Sequence, residues 1–301
     1  MDDNLRTIGD YTPETFERVK RTCLTVATVL GDWLEQVTVV GGIVPSLLVP
    51  QDRLPLGAEP HAGTTDLDLA LELMVLDAQR YASIAELLRA AGYVRDVNDA
   101  GNPTCQRWRT APSLGYKVVI DFLIPRADRL PASANLQHLE RDFAAMATAG
   151  LHLVARHRLA YTLSGHTESG ERATRTVYVC GPGAFVILKA HAIRKRRKYK
   201  DSYDLDYLLR HYPGGLEAIC SEVVDLLADE DARQALGYLE LDYATIDTVG
   251  PARAASFVWG SRDPGQADAF DDAAAQARAL VQDLLAATRL ERARRADAAT
   301  G

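Results

Sequence analysis

The feature that most limits how this chain can fold is a pair of acids inside an apolar run, TTDLDLAL, Thr64 to Leu71. Side chains alternate across a β-strand, so Asp66 and Asp68 leave by one face while Leu67, Leu69 and Leu71 leave by the other. Two carboxylates on one face then sit roughly 7 Å apart. Like charges that close resist joint ionisation unless a cation lies between them, and Mg²⁺ with oxygen ligands is the usual cation where phosphates are handled. The run YKVVIDFLIP, Tyr116 to Pro125, repeats the anomaly. Read as a strand, it puts Tyr116, Val118, Ile120 and Phe122 on one face and Asp121 with Val119 and Leu123 on the other. Asp121 is either a third carboxylate of a two-metal site or an edge-strand acid facing water.

Upstream, VTVV (Val37 to Val40) is a β-branched run stopped by Gly41-Gly42, and IVPSLLV reads as a helix with Pro45 in its first turn. A glycine pair between strand and helix exposes backbone amides suited to phosphate, although a plain tight turn uses the same residues. Thr64 and Thr65 likewise suit either a phosphate contact or a strand-entry turn. Around these motifs, residues 13–35 have helical spacing behind a Thr12-Pro13 cap, 51–63 form a loop, 66–73 a strand and 77–92 a helix ending at Gly92. Two strands are expected within 150–180, with a turn near Gly170; His152 and His157 fall on opposite faces of the first and read as incidental. Beyond Gly181 the character is helical: AFVILKAHAIRKRRKYK, SYDLDYLLRHY and DDAAAQARALVQDLLAATRLERARR. The expected class is α+β, with domains at 1–180 and 181–301.

A net charge of −7 argues against a generally basic nucleic-acid coat, which leaves local clusters of cations to be weighed. Four scattered cysteines indicate neither a disulfide framework nor a zinc site. The polar N-terminus and the lack of a long apolar run lead to the expectation of a cytoplasmic protein without a membrane partner. The strongest cationic cluster is LKAHAIRKRRKYKDSYDLDYLL. On one continuous helix, Lys189, Arg196 and Lys200 fall within roughly 40° of each other, beside Phe185. Arg194 and Lys198 then point away, toward solvent or an RNA backbone. A charged exposed helix explains such a run equally well. Asp201 is expected to cap the following helix with Asp204 as its reciprocal partner, a position from which it could touch Lys189 or Lys200.

The order strand, Gly-Gly, helix, Asp-Leu-Asp, helix, strand Asp resembles the nucleotidyltransferase superfold of the DNA polymerase β type. VVGGIVPSLL, HAGTTDLDLAL, KVVIDFLIP and the Lys-to-Asp segment together resemble the AbiEii/AbiGii-type nucleotidyltransferase toxins, mycobacterial members included, over about residues 36–210. The gap from Gly42 to Asp66 is longer than in minimal members. The resemblance implies a mixed sheet with flanking helices, a C-terminal helical domain and Mg²⁺ held by Asp66, Asp68 and Asp121. It implies Lys189 and Asp201 as further active-site residues, with Gly41, Gly42, Ser46, Thr64, Thr65, Arg196 and Lys200 on the substrate. The implied activity is transfer of a nucleotide from an NTP to RNA, expected to be a tRNA 3′ end, by a toxin with a cognate antitoxin protein. A small-molecule (antibiotic) nucleotidyltransferase and a noncatalytic nucleic-acid-binding protein on this scaffold are the alternatives.

Overall fold

A computed structural model of the chain describes residues 6–72, 78–98, 100–126, 136–140 and 143–300. The chain divides into two compact units, one of residues 12–44 and 63–180, the other of residues 1–11, 45–62 and 181–301.

The first unit is a nine-stranded mixed sheet with helices. Helix α1 (Pro13–Leu30) starts where Thr12 caps it: the Thr12 hydroxyl accepts a hydrogen bond from the Thr15 N–H at 3.2 Å. Gly31, with φ +53, ends it, and the chain passes through a 3-10 segment, Gly31–Gln36, into β1 (Val37–Val40). β2 spans Asp66–Leu71, α3 Ala78–Ala90, β3 Val94–Val97, β4 Pro103–Arg109, β5 Val119–Pro125, β6 Leu136–Glu140, β7 Phe143–Thr148, β8 Arg158–His166 and β9 Arg172–Cys180. The principal strand order is β3-β4-β5-β2-β1-β9-β8. β4 runs antiparallel to β5 along Val119–Asp121, and β7 runs parallel to it along Leu123–Pro125. Leu67, Leu69 and Leu71 of β2 and Ile120, Phe122 and Ile124 of β5 are buried, as alternation requires.

Several expectations need correction. Residues 151–156 are a 3-10 turn containing His152, and the strand starts only at Arg158; Gly150, at φ +74, provides the left-handed entry that a continuing strand would not tolerate. Tyr116 and Val118 precede β5. Strands β3, β4, β6 and β7 were not anticipated: β3, β4 and β6 carry mixed polarity, and the alanines of β7 have little strand preference. β2 ends at Leu71, with Leu73 outside the described residues, and the expected start of α3 at Asp77 also lies outside them.

The second unit holds α4 (Pro182–Lys195), α5 (Tyr199–His211), α6 (Gly215–Leu226), α7 (Glu230–Asp242), α8 (Val249–Trp259) and α9 (Ala267–Thr300). Helix α2 (Val44–Leu48) crosses the division between the units. α4 packs against α5, α6 and α7, and α8 against α5 and α9. The expected single helix from Ala184 to Lys200 is two helices: Arg196 is extended (φ −133, ψ 160), and α5 starts at Tyr199. Among the described residues no helix is long and apolar enough to cross a membrane.

The sheet core sets a stability expectation. Phe122 is fully buried on the apolar face of β5, and Phe122→Ala is expected to cost about 3–5 kcal/mol through lost burial and a residual cavity. Denaturant unfolding followed by circular dichroism measures it.

Candidate functional site

The sheet unit brings Asp66, Asp68 and Asp121 onto one face. β2 and β5 are parallel, with Asp68 opposite Asp121 and Asp66 opposite Val119. Register partners on neighbouring strands point the same way, their backbones about 4.8 Å apart in the hydrogen-bonding direction. β1 continues the row with Val40 opposite Asp68, and β4 continues it with Arg107 opposite Asp121. One cross-sheet row therefore reads Val40, Asp68, Asp121, Arg107, with Asp66 in the next.

Each carboxylate has an identifiable neighbour. Asp66 and Asp68 are half-buried and Asp121 is 6% exposed. The Thr64 hydroxyl donates to Asp66 Oδ1 at 2.6 Å. Arg107 forks onto Asp121, with Nε donating to Oδ1 at 2.9 Å and Nη2 to Oδ2 at 3.1 Å. That hydrogen bonding holds the guanidinium pKa above its ordinary value despite burial, and the charges of Asp121, Asp66 and Asp96 add to it.

Gly41 is where β1 meets this row. It has φ +75, and a Cβ there would stand 1.9 Å from Asp68 Oδ2. The glycine is thus required by backbone conformation and by the carboxylate pressed against it. Gly41 and Gly42 form a 3-10 turn, Gly41–Ile43, leading into α2. The donor set suits a hard divalent cation: Asp66 and Asp68 present carboxylate oxygens on one polar face of a rigid sheet.

The helical unit gathers a second set. Lys189 is 4% exposed; its Nζ donates to Asp201 Oδ1 at 2.8 Å and to Asp204 Oδ2 at 2.7 Å. Burial alone would push the Lys189 ammonium down, but the two carboxylates outweigh it and hold its pKa above the ordinary value. Arg196 forks onto Asp201 at 2.6 and 2.8 Å, and Lys200 donates to Asp204. Burial pushes the Lys200 pKa down despite Asp204, with Lys189 adding to the depression. Burial raises the carboxyl pKa values of Asp201 and Asp204, yet the neighbouring cations hold both well below the usual range.

Lys189, Arg196 and Lys200 therefore converge, but at a corner between two helices and on carboxylates, not as a stripe on one helix. Asp201 is not a cap: it lies in the first turn of α5, whose N-cap position is Lys198. Arg194, expected to face solvent or RNA, pairs with Asp242 at 2.8 Å.

Ser46 and His61 extend this network. Ser46 Oγ lies 2.6 Å from His61 Nδ1, and His61 Nε2 lies 3.1 Å from Asp204 Oδ1. The His61 ring stacks on Tyr203 at 5.3 Å and meets Tyr207 edge-on at 4.7 Å. Burial, with the charge of Lys200 second, lowers the His61 pKa to about 4 against the opposing pull of Asp204. The imidazole is neutral at pH 7, so Nε2–H donates to ionised Asp204 while Nδ1 accepts from the Ser46 hydroxyl. Ser46 thus has a buried structural partner.

Thr64, Thr65, Gly41 and Gly42 belong to the sheet unit with the three aspartates. Ser46, Lys189, Arg196, Lys200 and Asp201 belong to the helical unit. Sequence reasoning missed Arg107, although TCQRWR alternates in a way that would put Cys105, Arg107 and Arg109 on one strand face. It also gave Asp204 only a capping role, although Lys200 and Asp204 have i,i+4 spacing.

No protein-family model and no curated protein matches the chain.

Two measurements test this geometry. Gly41→Ala is expected to cost more than the roughly 1–2 kcal/mol of a left-handed backbone alone, because the methyl also strikes Asp68. Gly170→Ala, at φ +84 with nothing within 4 Å of the added methyl, isolates the backbone cost. Thermal unfolding of the two variants should rank them in that order. For His61, whose pKa falls from 6.5 unfolded to about 4 folded, the stability contribution is complete above pH 6.5. It is lost as pH falls toward 4, because only the unfolded chain takes up the proton, at a slope approaching 1.4 kcal/mol per pH unit. Denaturant titrations at several pH values should show this slope in the wild type, and His61→Gln should lack that component.

Proposed function

We propose that the protein is a Mg²⁺-dependent nucleotidyltransferase. The observation that carries the reading is the in-register pairing of Asp68 with Asp121, with Asp66 on the same face and Gly41 against Asp68. Carboxylates gathered on a rigid sheet beside a glycine turn suit the handling of a metal-bound triphosphate better than they suit packing. The resemblance of the motif order to the AbiEii/AbiGii-type toxins supports the same reading.

Asp66 and Asp68 would hold the ion, which supplies charge neutralisation at the phosphates. The acceptor hydroxyl attacks the α-phosphorus of the NTP: an oxygen–phosphorus bond forms, the bond to the β-phosphate oxygen breaks, and pyrophosphate leaves. Asp121, oriented by Arg107, receives the hydroxyl proton. Backbone amides of Gly41 and Gly42 bind phosphate oxygens, and Thr64 fixes the orientation of Asp66, with Thr65 beside it in the strand-entry turn. Lys189 and Asp201 enter the proposal by the resemblance alone; in the helical unit Lys189 is paired with Asp201 and Asp204.

The acceptor proposed is an RNA 3′ end, a tRNA by resemblance, and the role that of a toxin countered by an antitoxin protein. The engagement of Arg194, Arg196 and Lys200 with carboxylates removes the argument that this run is a free RNA-binding stripe. That observation gives weight to a second reading, a small-molecule acceptor.

The purified chain, incubated with total cellular RNA, Mg²⁺ and each α-labelled NTP in turn, is expected to label a tRNA-sized band. Asp68→Ala should abolish that label. Label on an added aminoglycoside but not on RNA would favour the small-molecule reading, and no transfer to either acceptor would overturn the nucleotidyltransferase reading.

A further inference from the structure

The cross-sheet row that carries Asp68 has a successor two residues along the strands. Alternation puts Thr38 of β1 and Ala70 of β2 on the same face as Val40 and Asp68, and the register pairs Thr38 with Ala70 as it pairs Val40 with Asp68. On β5, Leu123 lies opposite Ala70 as Asp121 lies opposite Asp68. The two rows are roughly 7 Å apart along the strands. Beside the second row the sheet unit holds a cavity of about 310 Å³, lined by Thr38 and Ala70, by Pro125 at the end of β5, and by Val154 and Ala155 of the 3-10 turn. Ala70 is the smallest side chain of β2, so the room is built into the sequence.

The lining is mainly apolar, and the volume is at the lower end of the range for small-molecule sites, which combine apolar walls with a few fixed polar groups. Glu72, also on the lining, is one such group. Arg158 Nη1 donates to Glu72 Oε1 at 2.7 Å and to the Glu35 carbonyl at 2.7 Å, and its guanidinium stands 4.0 Å from the centre of the Tyr178 ring. Held in this way, the carboxylate is an oriented hydrogen-bond acceptor at a mainly apolar cavity. A nucleobase has the matching chemistry, a flat body with apolar faces and N–H donors along its edge. The cavity continues β1 and β2, the strands that lead to Gly41 and carry Asp68, so it belongs with the nucleotide whose phosphates those residues would bind.

We infer that this cavity is the base subsite of the donor nucleoside triphosphate, with Glu72 accepting a hydrogen bond from the base edge. The inference rests on the nucleotidyltransferase reading for its ligand, and it adds where on the sheet face the nucleoside lies.

The test is isothermal titration of the full chain, in Mg²⁺, with each of the four NTPs and with inorganic tripolyphosphate, which offers phosphates without sugar or base. Wild type is expected to bind at least one NTP more tightly than tripolyphosphate. Ala70→Leu, which extends a branched side chain into the cavity, and Ala155→Phe, which fills it from an exposed position, should each weaken that NTP by about tenfold or more while leaving tripolyphosphate unchanged. Glu72→Ala should also weaken the NTP alone. Circular dichroism identifies any variant that has not folded, and Ala155→Phe carries the test if Ala70→Leu is unstable. Unchanged NTP affinity in any folded variant of the three, an equal loss for NTP and tripolyphosphate, or a wild type that binds no NTP more tightly than tripolyphosphate would overturn the inference and leave the nucleotidyltransferase reading standing. Binding of neither NTP nor tripolyphosphate by the wild type would overturn that reading as well.

Discussion

The parallel pairing of β2 with β5 is the constraint on which the sheet unit depends. It buries two rows of leucine, isoleucine and phenylalanine on one face, which hydrophobic transfer favours strongly. The same register obliges Asp68 and Asp121 to stand side by side on the other face. A one-residue slip would relieve the carboxylates only by turning every apolar side chain outward. The charges are therefore accommodated where they stand, by Arg107 on Asp121 and Thr64 on Asp66. Gly41 gives Asp68 room by having no side chain.

In the helical unit a comparable problem is solved with charge. Lys189, Asp201 and Asp204 are almost fully buried, and desolvating ions costs several kcal/mol apiece unless partners with good geometry surround them. The corner at Arg196 provides the geometry. Ending α4 and restarting the chain as α5 turns Asp201 and Asp204 back toward Lys189, while Arg196 and Lys200 close the set from the other side. Net stability from such a network is small, but removing one member leaves a buried charge unmatched, which makes the arrangement specific. His61 takes part as a neutral donor because burial disfavours the charged imidazole, and the neighbouring Lys200 charge adds to that.

The candidate carboxylates of the sheet were legible because a period of two assigns faces without knowledge of the partner strand. Phe122, Leu67 and Leu69 followed from the same rule. The cap at Thr12-Pro13 was legible because capping is local. The strands at 94–97 and 103–109 were not, because they carry few apolar residues, so Arg107 was not connected to Asp121. The cationic run was misread for a related reason: a wheel drawn on a continuous helix cannot register that Arg196 is extended.

The sequence by itself determined which residues alternate, where charge interrupts an apolar run, and that the last 121 residues are mainly helical, since these depend on neighbours in the chain. Tertiary structure alone decided which strand lies beside which and where the helix breaks, and hence which partner each buried charge receives. Arg107 reaches Asp121 across 14 positions, and His61 reaches Asp204 across 143. Contacts at such separations are set by the packing of whole elements, and no local pattern encodes them.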